Sequence, residues 1–299
     1  MGWKTIIIDE TCKASLYLNN LHISYEDEFF NIPLSDIDTI LFNYYQTSVT
    51  VPLLTKLLDY NINVMFCNEH HDPIGVCLPY NQHSRVFNRL HKQQKWEQGR
   101  KTKLWKLIIK EKIKSERDTL NLLRPSVDTS AFDNLIEGVK LNDKTNAEGI
   151  AAKRYFNNLF GVTFKRFKED YYNHAMNYGY KIIASYISKF IASRGYLTQL
   201  GIHHIGEGNP FNLTYDFIET FRVIVDQFIV RELKAKEELD MIDRYQLTNI
   251  LNSKVVIDNK SIYLSAAIET IVDSYFRFLN KETEEIITYD YKNIIFATS

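Results

Sequence analysis

Proline is scarce in this chain and unevenly spread. Of six prolines in 299 residues, five lie at or before Pro125, and Pro210 alone follows. The back of the chain is therefore free of the residue that most often breaks helices. No apolar run approaches 18 residues, which argues against a membrane-spanning helix. The three cysteines, Cys12, Cys67 and Cys77, have no CxxC spacing. That pattern argues against a disulfide framework and a cysteine-ligated zinc, and suits reduced core residues of a cytoplasmic protein. HExxH, GxxxxGK[ST] and GxSxG are all absent. The chemistries those motifs carry are not indicated. The opening, Met1 to Thr5 followed by Ile6-Ile7-Ile8-Asp9, is too short and too soon acidic for a secretory signal. No internal repeat or low-complexity tract occurs.

What is present suits a folded, core-forming protein: 45% hydrophobic and 24% charged residues. The net charge is −1, but the charges are segregated. Residues 83–117 hold twelve Lys/Arg against three Asp/Glu, which leaves 24 and 34 for the remainder. A basic stretch of this density, with Trp96 and Trp105 among its charges, suits a phosphate backbone. Its alternative is a solvated helix face. Arg85, Arg89, Lys92, Lys95, Arg100, Lys101 and Lys103 are the DNA-contacting candidates there.

The first eighty or so residues read as β-rich. Strand patterns recur at 5–8, 14–18, 21–25, 29–34, 39–42, 64–67 and 74–78, with a hairpin signal at Asn19-Asn20. Leu53, Leu54, Leu57 and Leu58 interrupt them at helical spacing. From about residue 83 the period is helical, and helices fit 119–123, 146–160, 164–194, 214–238, 244–252 and 260–280. The tail after Lys281 suits a strand or a docked segment. The expected class is α+β: a small β-rich domain over 1–82, a basic linker over 83–100, and a larger all-α catalytic domain over 101–299.

Three residues stand out in their local settings. Glu148 follows Thr145-Asn146, either of which suits the cap of a helix starting at Ala147. Its helical angle points it with Ala152, Tyr155 and Leu159, where a carboxylate is costly unless paired or bound to a cation. The bland alternative is stabilisation of the helix dipole. Asp216 and Glu219 are three apart on one helix, and by helical angles they fall off the Phe217/Phe221/Ile224/Phe228 stripe, toward solvent or a cleft. His204 lies in a glycine-rich loop running into that helix, with His203 as its rival. Two carboxylates and an imidazole suit Mg²⁺ or Mn²⁺. An ordinary charged helix start and a structural histidine are the alternatives on spacing alone.

The run Glu148-Gly149-(x)-Ala151-Ala152-(x)-Arg154-Tyr155-Phe156-Asn157-(x)-Leu159-Phe160-Gly161 resembles the first signature of the CRISPR-associated adaptation integrases, the "Cas one" family. Asn173-(x)-Ala175-(x)-Asn177-Tyr178-Gly179-Tyr180 resembles its next block. Gly201-Ile202-His203-His204 and Phe211-Asn212-Leu213-(x)-(x)-Asp216-(x)-(x)-Glu219-(x)-Phe221-Arg222 resemble its last. The likeness spans essentially the whole chain and is nearest to type II-A members. Many relatives carry Asp where Glu219 stands, and often Pro where Thr220 stands.

The resemblance implies a metal-dependent DNA endonuclease and integrase. Glu148, His204 and Glu219 would form the catalytic, metal-binding set, with Asp216 auxiliary. The implied reaction joins 3′-hydroxyl ends of captured DNA to a CRISPR repeat by phosphodiester exchange. Hydrolysis without joining, and a non-catalytic DNA scaffold, are the competing readings. The implied partners are DNA, a second copy of the chain dimerising through the β-rich domain, and the small "Cas two" protein in an assembly of four and two subunits. The Cas nine effector and a type II-A accessory protein are further expected partners. Lys153, Arg154 and Arg222 join the DNA-contact candidates.

Overall fold

A computed structural model describes Gly2, residues 4–79 and residues 85–297. The chain divides into two compact units, Met1–Arg89 with Ser188–Tyr196, and Leu90–Ile187 with Leu197–Ser299. Of the segment read as a basic linker, Val86–Gln94 is one helix and Gln98 opens another. The expected boundary at 82/83 lies outside the described residues.

In chain order the first unit contains β1 (Lys4–Ile8), β2 (Lys13–Tyr17), β3 (Asn20–Tyr25), β4 (Glu28–Pro33), β5 (Ile37–Phe42), β6 (Ser48–Val49), α1 (Val51–Asp59), β7 (Asn63–Cys67) and β8 (Pro73–Cys77). They make two four-stranded sheets, ordered β1-β5-β7-β8 and β4-β3-β2-β6. β1, β5 and β7 are parallel, and β8 returns antiparallel. The β2–β3 turn is Leu18-Asn19, both at positive φ, one residue earlier than the Asn19-Asn20 signal. Two positive φ values in a two-residue turn match the right-handed twist of the flanking strands. Leu53 and Leu57 of α1 bury against Ile8, Ile40, Phe42 and Val64.

The second unit is built on helices: α2 (Val86–Gln94, from Leu90 onward), α3 (Gln98–Leu123), α4 (Ser130–Gly138), α5 (Ala147–Phe160), α6 (Tyr171–Ser193, as far as Ile187), α7 (Asn212–Ile218), α8 (Arg222–Glu232), α9 (Met241–Thr248) and α10 (Leu264–Leu279). The mixed class therefore holds, strand-rich first and helical after, but the second part is not all-α. β9 (Lys254–Ile257), β10 (Lys260–Tyr263) and β11 (Asp290–Ile295) form a three-stranded antiparallel sheet, ordered β10-β9-β11. Asp258 and Asn259, both at positive φ, turn β9 into β10. That hairpin takes residues 260–263 from the helix expected to begin there. The expected 214–238 helix is likewise interrupted by a tight 3-10 turn at Glu219–Phe221.

α3 is the spine of this unit. Its buried stripe runs through Leu104, Trp105, Ile108, Ile109, Ile113 and Leu120. Trp96 and Trp105 are core residues, not surface aromatics among the basic charges. Trp96 donates its ring N–H to Asn280 Oδ1 at 3.0 Å. No helix among the described residues is long and apolar enough to cross a membrane.

Candidate active site

The buried residues of α3 include Asp118 and, one helical turn apart, Lys112 and Glu116. A buried lysine is tolerable only if carboxylates meet it. Two do. Lys112 Nζ donates to Glu148 Oε1 and to Glu219 Oε2, each at 2.6 Å. Burial works against its charge, but Glu219, Glu148 and Glu116 together keep it protonated.

Glu148 sits in the first turn of α5. Neither Thr145 nor Asn146 caps that helix with its side chain. Asp143 does, accepting the backbone N–H of Ala147 at 2.9 Å and of Glu148 at 3.0 Å. Glu219 opens the 3-10 turn between α7 and α8, which puts Arg222 directly beside it. Arg222 binds it in a two-pronged pair, Nε to Oε2 and Nη2 to Oε1, both 2.9 Å. Arg222 also lies over the Tyr180 ring, 4.7 Å from its centre. Burial alone would raise the Glu219 carboxyl, yet Arg222 and Lys112 outweigh it and hold the group down at about 2.

Deeper in the same site, Glu116 and Asp226 are fully buried. Burial pushes Glu116 up to about 8 and Asp226 up to about 6. Asp226 Oδ1 accepts the Tyr180 hydroxyl at 2.5 Å. Glu116 Oε2 has no hydrogen-bond partner among the described residues. Lys112, Glu116, Glu148, Glu219, Arg222 and Asp226 line one cavity of about 230 Å³, together with Arg166 and three aromatic rings.

His204 belongs to a second cluster. The loop before α7 folds around the Asp216 carboxylate, which accepts the backbone N–H groups of Ile202 (2.6 Å), His203 (3.1 Å) and His204 (3.0 Å). Gly201 permits this wrap, since a Cβ there would stand 2.3 Å from the His204 carbonyl oxygen. The same carboxylate takes His204 Nδ1 at 2.7 Å. With three backbone donors already on the carboxylate, the ring nitrogen also donates, which leaves Nε2 as the lone-pair nitrogen of the neutral ring. The Asp216 contact raises the His204 pKa against burial, and Glu219 and Glu148 add to the rise. His203 instead stacks on Trp105, ring centres 4.1 Å apart, and burial lowers its pKa.

The structure thus joins Glu148 to Glu219 through Lys112 and ties His204 to Asp216. His204 lines a neighbouring cavity of about 760 Å³. Asp216 and Glu219 are 0% and 4% exposed, not turned to solvent. Glu219 faces the cleft that the helical angles allowed, whereas Asp216 is enclosed by the loop that precedes α7. Among the described residues no three His, Cys, Asp or Glu side chains already form a metal-holding array. The donor chemistry nevertheless fits a hard divalent cation. Two carboxylates are aimed at a single positive charge, and nearby stands an imidazole whose second nitrogen is fixed by a carboxylate.

The DNA-contact candidates divide. Lys92, Lys95, Lys153 and Arg154 are exposed. Arg100 and Lys103 pair with Glu284 at 2.6 and 2.9 Å, and Arg89 donates to the Tyr196 hydroxyl at 3.0 Å. Lys101 is half-buried, and Arg85 is exposed. Arg222 is committed to Glu219. Sequence reasoning passed over Lys112, Glu116, Asp226 and Asp143. The first two were readable, since both fall on the apolar stripe of α3.

Residues 6–254 match the family model described as CRISPR associated protein Cas1. A CRISPR-associated endonuclease Cas1 from Neisseria meningitidis serogroup C (strain 8013) is 30% identical over 278 residues, covering 92% of this chain and 91% of the relative. Among solved structures, a casposase bound to integration product has a TM-score of 0.75 at 20% identity, covering 97% of this chain and 93% of its own. A Cas6-RT-Cas1–Cas2 complex gives 0.72 at 16% identity, covering 93% of this chain and 35% of that one. These structural likenesses concern the fold.

Proposed function

The chain belongs to the CRISPR associated protein Cas1 family, and from that premise we propose that it is a metal-dependent DNA endonuclease and integrase of CRISPR adaptation. It joins 3′-hydroxyl ends of captured DNA to the repeat of a CRISPR array by exchanging one phosphodiester for another. One observation carries the reading: Glu148 and Glu219, 71 positions apart in sequence, converge on a single cation. A structural ion pair has no need of two acids from separate elements on one buried lysine, and the His204 ring, held by Asp216, lies close enough for both acids to act on its charge.

Glu148, Glu219 and His204 would hold Mg²⁺ or Mn²⁺. When bound, the ion supplies Lewis-acid polarisation of a phosphoryl oxygen and stabilises the charge that develops there. The chain's own residues do the rest. Arg222 fixes both oxygens of Glu219. Asp216 sets the tautomer and direction of the His204 ring, so it acts as a positioning residue. Lys112 keeps the two glutamates together and balances their charge. Exposed Lys92, Lys95, Lys153 and Arg154 hold the DNA backbone through contacts that weaken with salt.

The working assembly is a dimer of this chain, and two such dimers join a dimer of the small Cas2 protein. Support for a Cas2 partner comes from the fold shared with a chain solved in a Cas1–Cas2 complex. The Cas9 effector and a type II-A accessory protein act alongside, in the cytoplasm.

A strand-transfer assay tests this. Labelled duplex with free 3′-hydroxyls is mixed with a repeat-bearing plasmid, the Cas2 partner and Mn²⁺, using wild type and His204→Ala. Label joined to plasmid by wild type, and reduced by about a hundredfold or more in the variant, is the expected result. Nicking without joining would identify a hydrolytic nuclease instead. Equal products from both proteins would remove His204 from the mechanism. Charge reversal at Lys92, Lys95, Lys153 and Arg154 lowers DNA affinity at low salt, and unchanged affinity would clear that surface of the role.

A further inference from the structure

The block Asn173-(x)-Ala175-(x)-Asn177 has no part in the chemistry above, but its two asparagines have a definite task. Buried Asn173 accepts Arg166 Nη1 at 2.7 Å and the backbone N–H of Phe167 at 3.3 Å. Its Nδ2 donates to the Lys165 carbonyl at 3.0 Å. Asn177 Oδ1 accepts Arg166 Nη2 at 2.7 Å. The guanidinium so held lies 5.2 Å from the centre of the Phe167 ring. These contacts fix the α5–α6 loop in one shape.

The outcome of that shape is Phe167. Its φ is +77°, a conformation that a bulky residue rarely adopts. The residue is 87% exposed. It lines the same cavity as Glu148 and Glu219. The loop does not need this ring as an anchor. Phe164 does that work, packing on Phe156 and Phe160 with ring centres 5.6 and 5.0 Å away. A strained backbone and an aromatic ring left in water at the mouth of a charged cavity are both unfavourable by themselves. A flat apolar partner that arrives with the substrate offsets both.

We propose that Phe167 is a base-stacking platform. When a nucleic-acid strand places a phosphate at the Glu148–Glu219 pair, the ring stacks on an unstacked base next to that phosphate. Arg166 backs the ring, and Asn173 and Asn177 hold Arg166. Stacking reads no base edge, so the platform accepts any base. The proposal rests on the reading of this site as one that acts on DNA.

The test places 2-aminopurine at each nucleotide flanking the reacting phosphate and follows its fluorescence on binding to the full-length protein. Wild type and Phe167→Trp quench it at one position. Phe167→Gly does not, and its Kd for the DNA rises about tenfold. Glycine is the informative variant because it relieves the positive φ. Phe167→Gly is expected to melt no lower than wild type, which separates loss of the ring from loss of the loop. Glycine that quenches and binds like wild type overturns the platform. So does wild type that joins strands with no quenching at any flanking position, and in that case the integrase reading stands. Wild type that neither binds nor processes DNA overturns both.

Discussion

Glu219 and Glu116 line the same cavity, both buried and both within electrostatic reach of Lys112, yet they end at opposite extremes. Glu219 is held at about 2 and Glu116 is pushed up to about 8. Burial acts on each in the same direction. The difference lies in directed donors: Glu219 receives two N–H groups from Arg222 and one from Lys112. The outer tier of the site, Glu148, Lys112, Glu219 and Arg222, is thus a balanced set of two negative and two positive charges. The inner tier, Glu116 and Asp226, lacks such a set and stays partly protonated near neutral pH. A fully ionised inner tier would add two negative charges whose burial outweighs the pull of Lys112 on Glu116 and of Arg222 and Arg166 on Asp226. Protonation lets a buried acid cluster support a charged site without outweighing it.

Removing Lys112, the cation that Glu148 and Glu219 share, should have the largest effect. Lys112→Met leaves a buried carboxylate and a half-buried one facing each other. A broken buried pair typically costs about 3–5 kcal/mol. Metal-free Lys112→Met is therefore expected to unfold at clearly lower denaturant than wild type. Added Mn²⁺ should raise its Tm by more than it raises that of wild type, because the ion replaces the missing charge. A variant as stable as wild type without metal would show that the two tiers do not differ in the way argued. A smaller Mn²⁺ effect than in wild type would show that Lys112 cooperates with the ion.

The inner tier gives a prediction of opposite sign. Glu116 has a folded pKa of about 8, above the unfolded value of about 4.3. The folded state therefore binds more protons across that window, and stability falls as pH rises from about 4.3 to about 8. Asp226 adds to the fall up to about pH 6. Glu219 works the other way: its contribution is complete above about pH 4.3 and is lost as pH drops toward 2. Glu116→Gln should flatten the decline between about pH 4.3 and about pH 8 by on the order of 1–3 kcal/mol, leaving the loss below about pH 4.3 unchanged. Urea unfolding at pH 5, 7 and 9 measures the decline. An undiminished decline in the variant would assign it to another group.

The same contrast explains what could be read without coordinates. Strands and long helices carry periods of their own, so the strand-rich front and the helices around Glu148 and Glu219 are visible in the residue pattern. The β9–β10 hairpin was missed because Lys260 to Tyr263 joins smoothly onto the helical stripe of α10. Only the positive φ values at Asp258 and Asn259 separate them. The motif blocks carried Glu148, His204 and Glu219, but not their partners. Lys112 lies in none of those blocks, and its pairing depends on α3 passing the starts of both α5 and α8. Asp216 was misjudged for a related reason. Its burial comes from a loop twelve to fourteen residues earlier that donates three N–H groups to it, and no helical wheel contains that loop.

The smallest expected effect tests whether the outer tier depends on its backbone as well as its charges. Asp143 accepts the N–H groups of Ala147 and Glu148, and so anchors the turn that presents the Glu148 carboxylate. Losing a cap of this kind costs about 1 kcal/mol, or roughly 2–4 °C in Tm for a unit of this size. Asp143→Ala should show that loss, and Asp143→Asn should recover much of it because an acceptor oxygen remains. Lys112 still holds Glu148 Oε1 in the alanine variant, so strand joining should fall by only a few-fold, far less than in His204→Ala. A loss of joining as deep as that of His204→Ala, at a Tm near wild type, would mean that the cap rather than the lysine sets the position of Glu148. The outer tier would then owe its geometry to hydrogen bonds on the backbone, and the contrast with the inner tier would rest on more than paired charge.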